Sequence, residues 1–286
     1  MAGSLLDHPG AEETGFADSD GVRIAWRAYG DGPETILFLP TWNFVDSRVV
    51  RHQVDGLRDR FRVITFDARG SGDSDHPPTG YRFDDHMRDA VAVMDATNMA
   101  TMSIVAASRG MHVAVPLAIR NPDRVLGLVL VVPSIDLPGD EAPAPPADLP
   151  DIGDEPDWTT DYEAFVRWFI SACFPEPSSE TTIAEIVEIA LDADRAMLVQ
   201  QADELDWDQA PRLLAGLRCP TLVIHGAADP TVDVASVKAV AAAIPGAELA
   251  LLEGLGHRPD ISRPDIVNPL IADFVSSRAG APSAAR

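Results

Sequence analysis

Ser108 lies in Ala106-Ala107-Ser108-Arg109-Gly110, where the apolar run Met102 to Ala107 gives way to a helical pattern, Val113 to Ile119. A serine on a sharp strand-to-helix turn is presented clear of the chain. The free N–H groups and positive end of the following helix suit a developing oxyanion. Small residues at 106 and 110 let that helix pass close to neighbouring strands. Asp229, in Gly226-Ala227-Ala228-Asp229-Pro230, follows the strand-like run Pro220 to Gly226. His257, in Gly254-Leu255-Gly256-His257-Arg258-Pro259, follows Glu248 to Leu252. Parallel strands present their C-terminal ends on one edge, so the three residues can converge despite their separation. There Ser108 attacks an acyl carbon, His257 takes its proton and returns it to the leaving group, and Asp229 holds the imidazole tautomer. A serine N-cap accounts for the first motif alone; the order of all three favours nucleophilic catalysis.

The elements that must carry them alternate. Arg23 to Tyr29, Thr35 to Leu39, Phe61 to Phe66, Met102 to Ala107, Val125 to Val132, 220–226 and 248–252 read as strands, several apolar throughout as in a buried parallel sheet. Residues 1–20 read as a lead-in that becomes a strand only near its end. Helical patterns fall at about 49–57, 84–98, 113–119, 233–243 and 263–277. The alternation breaks at 137–157, which holds six prolines among acids, and 160–217 is helical without strands. The expected architecture is α/β, a mostly parallel central sheet flanked by helices. It divides into a first core part at 1–134, an inserted helical cap at 135–212, and a second core part at 213–286 with a frayed Ser/Ala/Gly/Pro tail.

Composition narrows the partners. With 45 acidic against 22 basic residues the formal charge is −23, which argues against nucleic acid and anionic membranes. The N-terminus lacks a basic-then-apolar leader and no apolar run reaches membrane-spanning length, so the expectation is a cytoplasmic chain acting on a small-molecule substrate. Whether it forms a homo-oligomer stays open. Two distant cysteines, Cys173 and Cys219, read as buried thiols. Without a phosphate loop, nucleotide fingerprint or metal-type spacing, no cofactor and no metal are expected.

Five motifs in order, the strand-turn at 36–42, Asp67-x-Arg69-Gly70-x-Gly72-x-Ser74, the serine turn, His225-Gly226-x-x-Asp229 and Gly256-His257-x-Pro259, resemble the α/β-hydrolase fold superfamily over residues 20–278. Pro40-Thr41-Trp42 with Phe174-Pro175-Glu176-Pro177 looks like an actinobacterial-type branch of it. The resemblance implies an esterase-like serine hydrolase with Ser108, His257 and Asp229 as triad. It also implies an oxyanion hole from the backbone N–H groups of Trp42 and Arg109, although Pro40-Thr41 stands where the family usually has His-Gly. Thr41, Asn43, Phe44 and His112 are the candidate pocket residues. Asp136 is the fallback acid. His225 reads as structural, Asp67 and Arg69 as loop braces, and His52, His76 and His86 as solvated. Trp158, Trp168 and Trp207 read as cap core. Arg109 is expected to pair with an acid of the cap, leaving a pocket for neutral, apolar esters. Acyl transfer, cyclisation, lyase chemistry or carbon–carbon hydrolysis on the same site remain alternatives, as does a non-catalytic ligand receptor, because fold does not fix function.

Overall fold

The computed structural model describes residues 4–41, 44–134, 155–177, 179–207 and 209–278. Strands β1 (Glu13–Ser19) and β2 (Val22–Tyr29) form an antiparallel hairpin. Its turn at Asp20-Gly21 has both residues at positive φ, 54° and 85°, the geometry an Asp-Gly pair favours in two-residue hairpins. The lead-in is therefore a full edge strand from Glu13. Its outward polar residues disguised the period-2 pattern, and Phe16 stays exposed on it.

Next come β3 (Thr35–Phe38), α1 (Arg51–Leu57), β4 (Arg62–Phe66), α2 (Phe83–Ala96), β5 (Met102–Ala107), α3 (Met111–Arg120) and β6 (Val125–Val131). Four helices follow: α4 (Tyr162–Cys173), α5 (Glu180–Leu191), α6 (Arg195–Glu204) and α7 (Gln209–Leu213). The chain then returns to the sheet as β7 (Thr221–Gly226), α8 (Val234–Ala243), β8 (Glu248–Leu252), α9 (Pro259–Ser262) and α10 (Pro264–Ser276). The eight strands pair in the order β1-β2-β4-β3-β5-β6-β7-β8, parallel from β4 onward. This is the expected α/β architecture.

Strand alternation feeds two apolar layers. Ile36, Phe38, Val105, Val129 and Val131 face one layer with Val54, Ile271, Val166, Ile170 and Ile186. Leu37, Leu39, Ile104, Ala106 and Leu130 face the other with Val93, Leu117, Ala210 and Val240. The inner strands are apolar on both faces because helices cover both. Helices α4 to α7 occupy the span read as a cap, and the described residues between β6 and β7 contain no strand. Among the described residues, no helix is long and apolar enough to cross a membrane.

The loop after β4 is braced as its motif suggests. The Asp67 carboxylate accepts bonds from Ser47 N–H (2.9 Å), Ser47 Oγ (2.6 Å), Asp73 N–H (3.0 Å) and Arg27 (3.1 Å). Burial alone would raise this carboxyl; Arg27 and those donors outweigh it and hold it below the ordinary carboxylate value. Arg69 forms a buried bidentate pair with Asp89. His8, Asp46 and Asp67 bring ligand-type atoms within 4.8 Å of one another. Asp67 is saturated by these bonds and Asp46 is taken by Arg48, so arginines already supply the positive charge there.

Candidate active site

β5 ends at Ala107, and Ser108 turns the chain at φ +48°, a left-handed conformation costing about 1–3 kcal/mol for a non-glycine residue. A short 3-10 turn, Ser108–Gly110, then enters α3. A Cβ at Gly110 would lie 3.1 Å from the Pro40 carbonyl oxygen and 3.4 Å from the Ala106 Cβ. This is the crowding that demands small residues at 106 and 110. Thr41 reinforces the turn, its hydroxyl donating to the Ala107 carbonyl at 3.0 Å.

The loops after β7 and β8 bring in the other two residues. His257 Nε2 lies 3.1 Å from Ser108 Oγ, and His257 Nδ1 lies 2.8 Å from Asp229 Oδ2. All three side chains are buried, at 5%, 3% and 3% exposure for Ser108, His257 and Asp229. Asp229 Oδ1 accepts from Thr231 N–H (2.7 Å), Thr231 Oγ1 (2.8 Å) and Val232 N–H (3.2 Å). Burial would raise the Asp229 carboxyl; the charge and hydrogen bond of His257, with the Thr231 donors, hold it below the ordinary value. Thr231 Oγ1 also sits 2.7 Å from His257 Nδ1. With its proton on Asp229, its lone pair faces the imidazole N–H.

The histidine loop is fastened from two directions. A Cβ at Gly226 would fall 2.1 Å from Gly256 O and 2.3 Å from Leu255 O, so glycine there lets the loop lie against the end of β7. From the helical insertion, Cys173 O accepts the His257 N–H at 3.1 Å. Glu176 Oε1 accepts Gly256 N–H at 2.8 Å and Ser262 Oγ at 2.9 Å.

Sequence reasoning missed Thr231, Cys173 and Glu176. Thr231 carried a signal, an aspartate two residues before a hydroxyl residue in a turn. The Phe174-Pro175-Glu176-Pro177 motif stood out without a role, because its contacts lie 80 and 86 residues away.

The remaining expected site residues take varied places. Trp42, Asn43 and the fallback Asp136 lie outside the described residues. Phe44 packs edge-on against Phe169 of α4, ring centres 5.7 Å apart. It also borders a cleft of about 500 Å³ between Asp46, the β4 loop and the end of α5, which none of Ser108, Asp229 or His257 lines. His112 is buried, stacked on Phe83 at 4.8 Å, with Nε2 3.1 Å from Ser134 O. His225 is fully buried, Nδ1 4.0 Å from Asp229 Oδ2; burial lowers it, against the pull of Asp229, so it stays neutral at pH 7.

Three expectations are corrected. His86 is not solvated: α2 turns it inward, and burial, then Arg109 and Arg69, push it well below the ordinary histidine value. His52 is part-buried against the Ile261 carbonyl. Trp207 is 49% exposed and lies over Phe83 and His112 at the edge of the insertion instead of inside it.

Among the described residues Arg109 meets no acid of the insertion. Its guanidinium reaches α6, but the partner is the neutral amide of Gln201, at 3.4 Å from Nη2 to Oε1.

Comparison with known proteins agrees with this fold. Residues 34–175 match the family model described as alpha/beta hydrolase fold. The acetyltransferase component of an acetoin cleaving system from Cupriavidus necator is 33% identical over 125 residues, 41% of this chain. The chain spans only 31% of that relative's length. A putative carbamate hydrolase, RutD, of Klebsiella pneumoniae is 23% identical over 77% of this chain and 84% of its own. The solved structure of Est816, described as an N-acyl homoserine lactone degrading enzyme, superposes with a TM-score of 0.74 at 27% identity. That match covers 91% of this chain and all of Est816. The chain has the α/β-hydrolase fold.

Proposed function

We propose that the protein is a serine hydrolase of esterase type that works through a Ser108 acyl-enzyme on a small or medium organic substrate. The observation that carries this is the buried hydrogen-bonded run from Ser108 Oγ through His257 to Asp229, at the C-terminal edge of a parallel sheet. The lactone-degrading structure and the putative carbamate hydrolase support hydrolysis of an acyl bond.

In this reading His257 Nε2 takes the Ser108 proton as Oγ bonds to the acyl carbon. The Arg109 backbone N–H, at the start of the turn, faces the developing oxyanion, with that of Trp42 as partner from the sequence motif. His257 then gives its proton to the leaving oxygen, the carbon–oxygen bond breaks, and water, deprotonated by His257, repeats the sequence to release the acid. Asp229 and Thr231 keep Nδ1 protonated throughout, so that Nε2 is the basic nitrogen.

The test is labelling with a fluorophosphonate together with single-turnover hydrolysis of a 4-nitrophenyl ester. Wild type should label once at Ser108 and release a burst equal to enzyme; Ser108→Ala should do neither. Labelling that persists in the variant removes Ser108 from the role. The acetyltransferase relative favours one second reading, transfer of the same acyl group to an alcohol or thiol. Product analysis with an added acceptor separates it from hydrolysis.

A further inference from the structure

Among the described residues four arginines are buried, and three have carboxylates. Arg27 pairs with Asp67 and Asp73, Arg69 with Asp89, and Arg258 with Asp260. The fourth is Arg109, immediately after Ser108, and among the described residues no carboxylate reaches it.

The described side chains it touches are neutral. The side chain is 9% exposed, Nε is sealed without a partner, and Nη1 makes no hydrogen bond among the described residues. The guanidinium carbon lies 5.1 Å from the centre of the Phe83 ring. The long bond to Gln201, itself fully buried, is its single polar anchor among the described residues. Burial lowers the guanidinium to about 10, so it remains charged at neutral pH. A buried charge that no carboxylate of the described residues offsets is costly.

We propose that Arg109 receives a carboxylate of the substrate, so that the site takes esters bearing a free carboxylate near the scissile acyl group. This rests on Ser108 being the nucleophile. Nη1 and Nη2 supply the donors, and Gln201 fixes the fork from the helical insertion. The net charge of −23 repels anions at long range, so recognition must be local.

The experiment compares two carboxylated esters with neutral partners: mono-4-nitrophenyl adipate against 4-nitrophenyl hexanoate, and 4-carboxyphenyl hexanoate against phenyl hexanoate. The first pair puts the carboxylate on the acyl side and the second on the leaving group. Wild type should prefer at least one carboxylated ester, and in Arg109→Met that carboxylated-to-neutral ratio of kcat/KM should fall by about 10- to 100-fold. Arg109→Lys should recover part of it.

Binding is read separately, by titrating adipate and 4-hydroxybenzoate into Ser108→Ala and into the Ser108→Ala/Arg109→Met double variant. At least one should bind the first protein and be lost in the second. Wild-type hydrolysis of neutral esters with no carboxylate preference in either pair overturns the inference and leaves the serine-hydrolase reading intact. No hydrolysis and no fluorophosphonate labelling, with anion binding that depends on Arg109, overturns the hydrolase reading and sustains the anion site. If the Arg109 variants do not fold, the wild-type ester pairs decide.

Discussion

Thr231→Val isolates one hydroxyl at the back of the proposed triad. Valine keeps the shape of threonine and the backbone N–H that reaches Asp229 at 2.7 Å. It removes the O–H donated to Asp229 Oδ1 at 2.8 Å and the lone pair 2.7 Å from His257 Nδ1. Hydrogen bonds to charged groups are worth about 1.5–3 kcal/mol. Asp229 retains the Thr231 and Val232 N–H groups and His257, which puts the loss at the lower end, roughly 1.5 kcal/mol, or about tenfold in rate. The hydroxyl matters most when His257 carries both protons, a state reached after substrate binds. The loss should therefore fall on kcat, with KM within about twofold. The assay is steady-state hydrolysis of a neutral 4-nitrophenyl ester by wild type, Thr231→Val and Thr231→Ser, with thermal melts alongside. Serine keeps the hydroxyl and should stay within about threefold of wild type. At about 2.1 cal/mol/K per residue, the same 1.5 kcal/mol lowers Tm by only about 2–3 °C. A Thr231→Val enzyme with wild-type kcat, or an equal loss in Thr231→Ser, refutes the reasoning.

Two further outcomes are expected. Glu176→Ala leaves Gly256 N–H and Ser262 Oγ without their acceptor, and kcat/KM should drop about 10- to 100-fold as the His257 loop shifts; Glu176→Gln keeps an acceptor oxygen and should recover most of the rate in the same assay. Asp67→Asn removes the buried carboxylate opposite Arg27, leaving it only the exposed Asp73, and should cost about 3 kcal/mol in urea unfolding at pH 7. Because Asp67 is held below its ordinary value when folded, its contribution is fully present above the unfolded value and lost as pH falls through the folded one. The difference between wild type and variant should therefore shrink as pH falls below the ordinary aspartate value of about 3.9.

The parts of this molecule written in local pattern were readable before any coordinates. Apolar runs ending in small-residue turns mark β5, β7 and β8, and a parallel sheet places the ends of such runs on one edge, so Ser108, Asp229 and His257 followed. β1 was obscured because an edge strand need not alternate strongly when one face meets water. The described partner of Arg109 was illegible for a different reason. The insertion is rich in acids, and composition says nothing of which residue on α6 faces the serine turn; that residue is Gln201. Glu176 was illegible in role because its contacts are backbone N–H and hydroxyl groups on a distant loop, which leave no charge or hydrophobic period in the sequence.

The bonds from Cys173 and Glu176 to the histidine loop bear on how such proteins diversify. Helical insertions look like interchangeable parts that can be traded to alter what a sheet enzyme accepts. Here the traded piece would carry away the carbonyl that holds His257 N–H and the carboxylate that holds Gly256 N–H and Ser262 Oγ. A chimera with its donor segment starting at Tyr162 must rebuild that bracket, whereas one starting after Glu176 inherits it. Substrate range and the alignment of His257 thus travel together through the short stretch from Cys173 to Glu176, and any recombination that ignores it exchanges specificity for a misaligned base.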